Sequence, residues 1–154
     1  MPEASGGRIP VDAAVRRRVT GDLGTTFLLE ASAGTGKTSV LVERYVRCVL
    51  DPQRGAGDVR SVAAITFTEK AAGELRQRVR EDLEARASAT PPGSTEAELA
   101  GRALEALDDA PIGTIHGFAG SLLREYPVEA GIDPAFEQLD GLASDIERAR
   151  LWEE

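Results

Sequence analysis

Phe27 to Val49, FLLEASAGTGKTSVLVERYVRCV, decides how the chain folds, and within it the eight residues Ala31 to Thr38 weigh most. A short apolar run, Phe27, Leu28 and Leu29, leads into a turn of small residues closed by Lys37 and Thr38, and an amphipathic segment follows at once. That order is strand, phosphate loop, helix. The amide N–H groups of a tight turn and of a new helix N-terminus converge on one point and carry partial positive charge, so a polyphosphate is their natural occupant.

Gly34 and Gly36 supply the backbone freedom and the close approach that such a loop needs. The expected nucleotide cradle is Ala31, Ser32, Ala33, Gly34, Thr35, Gly36, Lys37 and Thr38. In it, Lys37 reaches the β and γ phosphates of a nucleoside triphosphate, and the Thr38 hydroxyl holds the Mg²⁺ bound to the same oxygens, which makes these two the candidate catalytic residues. The strict pattern has Gly at its first position, where Ala31 stands. Relaxing that position raises the rate of accidental matches in a chain this long to roughly one in a hundred. The bland reading, a Gly-rich turn that merely joins a strand to a helix, leaves the flanking strand and helix signals as coincidence.

Working outward, 154 residues with 42% hydrophobic and 5% aromatic content suit one α/β domain or one piece of a larger one. No run approaches the roughly 18 apolar residues of a membrane span, and MPEASGGRIP lacks the basic start and apolar stretch of a signal peptide. The expectation is no membrane and a cytoplasmic location. Cys48 is the single cysteine, which excludes an intrachain disulfide and a cysteine-based metal cage and leaves a small core hydrophobe as its expected role. The net charge of −8 is not evenly spread: residues 1 to 124 carry −1 and residues 125 to 154 carry −7. The body is neutral, so composition neither demands nor forbids a local basic surface.

Met1 to Pro10 reads as disordered, and Asp12 to Val19 as a short helix whose Arg16, Arg17 and Arg18 form a solvated basic face. Thr26 to Glu30 is the expected first strand, followed by a helix from Lys37 to Leu50 with Val40, Leu41, Tyr45, Cys48 and Val49 on its core side. Asp51 to Arg60 has surface-loop composition, and Ser61 to Thr66 is an apolar run of the kind buried on both faces of a parallel sheet. Thr68 caps the next helix, with Ala71 or Ala72, Leu75, Val79 and Leu83 as its core stripe. Thr95 with Glu98 makes a capping-box signature for a helix reaching about Asp108. Ile112 to Ile115 is a third short strand, and His116 to Tyr126 a helix with Phe118, Leu122 and Leu123 on one side. A loop follows, then an acidic helix beginning near Ser144. Strands alternating with helices imply right-handed parallel crossovers and an α/β domain.

Two further stretches sit where strands give way to helices: Thr66 to Arg76, TFTEKAAGELR, and Thr114 to Phe118, TIHGF. In open α/β sheets ligands bind beyond the carboxyl ends of the strands, so these stretches and the phosphate loop are expected on one edge. There Phe67 and Phe118 offer faces to unstacked bases, Thr66, Thr68 and Thr114 offer hydroxyls to phosphates, and Lys70 offers a counter-charge. Taken singly, each residue also has a plain reading: the aromatics as core, His116 as a junction residue, Thr68 as a cap alone.

Together the three segments resemble the motifs of UvrD-type superfamily 1 DNA helicases. EASAGTGKT resembles their motif I, TFTEKAAGELR their motif Ia and TIHGF the next; Glu69, the TIHGF spelling and FEQLD at Phe136 to Asp140 look most like the RecB and AddA branch of helicase–nucleases. The resemblance covers about Thr26 to Asp140. It implies a RecA-like P-loop NTPase fold with a parallel sheet flanked by helices, ATP with Mg²⁺ in the loop, and 3′ to 5′ translocation on single-stranded DNA. By the same carry-over Thr66, Phe67, Thr68, Lys70, Thr114 and His116 lie beside DNA, and a partner subunit is implied. The domain reading is an arm and short helix at 1–24, a partial ATP-binding domain at 25–126, and the acidic start of an inserted helical subdomain at 127–154. The chain departs from the family where DAAVRRRV lacks the adenine-contacting Gln of many relatives. The Asp-Glu motif, the coupling Gln and the arginines of a second RecA-like domain are not among these residues, so the expectation is nucleotide binding without completed hydrolysis. Two other readings stand beside this one: a non-catalytic truncated paralogue acting as a nucleotide- or DNA-binding module, and an unrelated phosphate-loop kinase or GTPase. The latter leaves TFTEKAAGELR and TIHGF unexplained.

Overall fold

A computed structural model of the chain describes residues 12–32, 34–139 and 141–153. The expected disorder of Met1 to Pro10, Ala33 of the loop and Asp140 of FEQLD lie outside the described residues. The backbone divides into two compact units, 1–114 and 115–154.

In the first unit, α1 (Ala13–Gly21) precedes α2 (Lys37–Leu50), and β1 (Ala64–Thr66) is followed by α3 (Glu69–Ala89), α4 (Thr95–Glu105) and β2 (Ile112–Thr114). The organising element is α3, which packs on α2, α4 and both strands. Its sequence explains why: Ala72, Leu75, Val79 and Leu83 recur at helical spacing and all are buried, as the pattern predicted. Leu75, Val79 and Leu83 meet Val42, Val46 and Val49 of α2, Leu99 and Ala103 of α4, and Val59 and Leu107 in one core. Fully burying each of the larger side chains contributes about 1.5–3 kcal/mol before entropy is counted. The Thr68 hydroxyl accepts from the Ala71 amide at 3.1 Å, which fixes the start of α3 as predicted.

β1 and β2 are parallel, with Ala64, Ile65 and Thr66 opposite Ile112, Gly113 and Thr114. Among the described residues the sheet has these two strands and not the three expected. Residues 26–30 form no strand and pair with no described segment, and Leu28 is 89% exposed. A strand exists only through its neighbour's hydrogen bonds, and here side chains hold the segment instead. Arg44 donates to the carbonyls of Val19, Asp22 (2.8 Å) and Thr25 (2.9 Å). The Phe27 ring lies against Arg18 and Arg44, at 5.6 and 5.2 Å from their guanidinium carbons. The expectation of a strand buried on both faces also fails at β1. Ala64 is buried under α3, but Ile65, pointing the other way, is 47% exposed.

Smaller corrections follow the same logic of real neighbours over sequence pattern. α2 has the predicted limits, yet its buried arc is Val40, Val42, Tyr45, Val46, Val49 and Leu50, because it packs on α1 as well as on α3 and α4. Leu41 is therefore exposed and Cys48 only half-buried. The 51–60 segment is no free surface loop: the Gly55 and Gly57 amides donate to Cys48 and Val49 carbonyls at 3.1 and 2.8 Å, closing the C-terminus of α2, and Val59 is fully buried. Gly57 has φ +83°, and a Cβ at Gly55 would sit 2.5 Å from the Val49 carbonyl oxygen. At α4 the cap is Ser94, whose hydroxyl accepts from Ala97 at 3.2 Å; Thr95 is the first helical residue, since the turn at Gly93 (φ +80°) delivers Ser94 in extended conformation. α4 ends at Glu105, and a 3-10 turn over Leu107–Asp109 buries Leu107.

The second unit holds α5 (Ile115–Glu125), α6 (Pro127–Ala130) and α7 (Gly141–Glu153). α5 matches the predicted helix, with Phe118 half-buried and Leu122 and Leu123 about 40% exposed. α6 was expected as loop; Pro127 at its first turn and Gly131, left-handed at φ +65°, bound it. Arg124 stacks on Phe136 at 4.8 Å. No described helix is long and apolar enough to cross a membrane.

Candidate functional site

The chain enters the loop from the segment pinned by Arg44 and leaves it as α2. Gly34 and Gly36 both take positive φ, +78° and +82°, the left-handed conformations that glycine alone adopts freely. Gly36 is the N-cap of α2, so the unpaired amides of the first turn open at Lys37 and Thr38. That first turn contains no acidic residue, and nothing in it opposes an anion.

Lys37 folds back over the loop. Its ammonium donates to the Ala31 carbonyl and, at 2.9 Å, to the Ser32 carbonyl. The Thr35 hydroxyl donates to the same Ser32 carbonyl at 2.7 Å. The loop is thus tied by its own lysine, with Lys37 and Thr38 still exposed. Beside them a hollow of about 310 Å³ is lined by Phe27, Leu29, Val40, Leu41 and Arg44, apolar walls with cations at the rim.

Two arginines to which the sequence pattern gives no part in the loop shape the site. Arg44 holds the entry segment, as described. Arg16 leaves the solvated face assigned to it: its Nη2 donates to the Thr35 carbonyl at 2.5 Å, while its Nε donates to Asp12 at 2.8 Å. The spacing of Asp12 and Arg16, four apart on one helix, was the available signal for the pair; nothing local announced the loop carbonyl as its second partner. Asp22, below its usual carboxylate range chiefly through the Thr25 hydroxyl, also accepts from the Gly24 and Thr25 amides and sets the turn before the entry segment.

At the carboxyl end of the sheet Thr66 and Thr114 are register partners. The Thr66 hydroxyl lies 3.0 Å from the Thr68 carbonyl and 3.4 Å from that of Gly113. Phe67 is 99% exposed, the opposite of the core reading for this side chain, and Thr68 and Lys70 beside it are exposed. His116 is exposed on the first turn of α5 in the second unit, so it is described apart from this group. Because residues 26–30 do not join the sheet, the shared edge expected for all three motifs holds for β1 and β2. Arg76, the last residue of TFTEKAAGELR, donates to the Ile112 carbonyl at 2.7 Å and ties α3 to β2; its buried Nε has no hydrogen-bond partner. Among the described residues no cluster of three or more His, Cys, Asp or Glu could hold a metal by itself.

Residues 12–151 match the UvrD/REP helicase N-terminal domain. The chain is 37% identical over 130 residues to an ATP-dependent helicase/nuclease subunit of Desulforamulus reducens and 42% identical over 131 residues to that of Anoxybacillus flavithermus. With the homologue of Desulforudis audaxviator it shares 42% over 128 residues. These alignments cover 83–85% of this chain and 10% of each relative, so the chain spans about a tenth of the length of the curated relatives it matches. The resemblance to the helicase–nuclease branch is shown by those names, and with the family's N-terminal domain matching nearly its whole length, the chain belongs to the UvrD/REP helicase family.

Proposed function

We propose that this chain is the N-terminal, ATP-binding part of an ATP-dependent DNA helicase of the helicase–nuclease type, acting in the cytoplasm in DNA repair or recombination. The observation that carries the reading is the loop: two left-handed glycines, then Lys37 and Thr38 on an acid-free first turn of α2. These residues suit ATP with Mg²⁺. With these groups bound, Lys37, now on the Ala31 and Ser32 carbonyls, and the loop amides from Gly34 to Thr38 would hold the phosphates, and the Thr38 hydroxyl would hold the Mg²⁺. The ion supplies charge neutralisation at the phosphates.

The finer fold reading is a RecA-like parallel sheet flanked by helices, of which residues 25–126 are one portion, with 1–24 as an arm and 127–154 as the start of an inserted helical subdomain. In it the exposed Phe67 stacks on a base of single-stranded DNA, Thr66, Thr68 and Thr114 donate to phosphates and Lys70 adds charge; His116, on the second unit, is a separate DNA contact. Translocation runs 3′ to 5′, and the relatives' names, which make each of them one component of a helicase/nuclease, support a partner subunit. The 154 residues alone bind nucleotide but turn it over negligibly, because phosphoryl transfer also needs an oriented water and charge from groups absent here.

Titration with ATP and Mg²⁺ tests the site. A unit charge 4 Å from a phosphate oxygen is worth about 4 kcal/mol at an effective dielectric of 20 and about 1 kcal/mol in bulk water. Lys37 is exposed, so Lys37→Ala should weaken binding by an intermediate amount, at least about tenfold. Equal affinity for the two proteins sinks the assignment, and DNA-stimulated ATP turnover by these residues contradicts the inactivity.

A further inference from the structure

We propose that Arg16 is a positioning residue of the nucleotide site, which sets the direction of the Gly36 amide by gripping the carbonyl on the other side of the same peptide bond. The proposal rests on the nucleotide-site reading above and adds a residue to it from outside the loop.

The geometry is specific. Arg16 lies on α1, nineteen residues before Thr35, yet its Nη2 donates to the Thr35 carbonyl at 2.5 Å. Nη1 of the same guanidinium lies 3.0 Å from the place a Cβ would occupy on Gly36. The group therefore covers the Thr35–Gly36 peptide from the α1 side. No described peptide bond is cis, and across a planar trans peptide the C=O and the next N–H point in opposite directions. A Thr35 carbonyl held toward Arg16 turns the Gly36 N–H away from it. Without that grip the peptide is poorly defended, because a flip turns φ of Gly36, at +82° here, and glycine tolerates φ of either sign.

Arg16 is itself oriented. Its Nε donates to Asp12 at 2.8 Å, so two edges of one rigid fork are engaged at once. α1 packs on α2, and Arg44 of α2 holds the Val19 and Asp22 carbonyls at the end of α1, so the helix that carries Arg16 is fixed to the helix that the loop begins. Asp12 neutralises the guanidinium at short range. What Arg16 gives the loop is direction more than charge, and this separates its role from that of Lys37.

The experiment uses the 154-residue chain and a fluorescent ADP analogue with Mg²⁺, titrated against wild type, Arg16→Ala, Arg16→Lys and Lys37→Ala. Loss of one charge-assisted hydrogen bond that orients a ligand amide should weaken binding about tenfold to a hundredfold in Arg16→Ala. Arg16→Lys, which keeps the charge but not the fork, should stay well below wild type, and methylguanidinium added to Arg16→Ala should restore part of the loss. In amide NMR spectra the Gly36 resonance should move in both Arg16 variants while that of Ser39, inside α2, stays in place. If Arg16→Ala fails to fold, Arg16→Lys carries the test. Wild-type affinity in Arg16→Lys, or an unmoved Gly36 resonance, overturns the proposal while a weakened Lys37→Ala leaves the nucleotide site standing. If Lys37→Ala also binds as wild type does, the nucleotide-site reading fails and this proposal with it.

Discussion

Replacing Arg44 by Ala should be the most damaging change of a charged side chain in the first unit. The guanidinium donates to three carbonyls, Val19, Asp22 and Thr25, and stacks on Phe27 at 5.2 Å. Those three carbonyls belong to the end of α1, the turn after it and the bend that leads into residues 26–30, so one side chain joins three pieces of chain to α2. A hydrogen bond from a charged group contributes about 1.5–3 kcal/mol, and a cation on an aromatic face about 0.5–1 kcal/mol at exposed sites. The bonds share one donor group and Arg44 is half-buried, so their sum overstates the effect. A loss of about 2–4 kcal/mol is expected. At roughly 4–8 °C per kcal/mol for a unit near 100 residues, the thermal midpoint should fall by at least about 8 °C. Urea unfolding followed by circular dichroism measures it: the midpoint should drop with little change in slope. Arg44→Lys, one donor head in place of a fork, should recover less than half of the loss. A midpoint within about 2 °C of wild type, or full recovery with Lys, refutes the view that this fork holds the entry segment in place of a strand partner.

Gly55→Ala should destabilise by about 2 kcal/mol or more, because the new Cβ meets the Val49 carbonyl oxygen at 2.5 Å and neither backbone can yield cheaply; chemical denaturation reads it directly. Phe67→Ala should leave the unfolding midpoint unchanged, since the ring is 99% exposed, yet weaken binding of a single-stranded oligonucleotide by about 1–3 kcal/mol of lost stacking; unchanged DNA affinity counts against the stacking role. Burial raises the Tyr45 hydroxyl to about 12. The unfolded chain therefore releases this proton at lower pH than the folded one, and stability should fall between about pH 10 and 12, by up to about 3 kcal/mol, with Tyr45→Phe removing most of that slope.

How far the sequence reaches is best seen at particular residues. The limits of α2, the cap at Thr68 and the stripe from Ala72 to Leu83 were legible because each depends on neighbours within a few positions. The glycines of the loop were legible for the same reason. What escaped depends on partners far away in sequence. Arg16 and Arg44 find carbonyls 19 to 25 residues distant, which no local periodicity encodes. Phe27 to Leu29 have strand composition, but a strand is a relation between two segments, and the apolar pattern cannot say whether the second is at hand. Phe67 separates two readings the sequence left side by side: average burial habits would put an aromatic in the core, while this one is exposed at the end of β1, as a side chain offered to a base must be.

The side-by-side packing of α2 and α3 has a mechanical consequence. One rod of 14 residues begins at the phosphate loop, the other of 21 begins just past Phe67 and Thr68, and at 1.5 Å per residue they extend about 21 and 31 Å. Their contact is made by Val42, Val46, Val49, Leu75, Val79 and Leu83, short stiff side chains in a close-packed interior with little compressibility. Such a contact yields little, so it holds α2 and α3 at a fixed offset along their lengths. The valine and leucine stripe that stabilises the unit is, by the same packing, a stiff linkage between its two candidate sites.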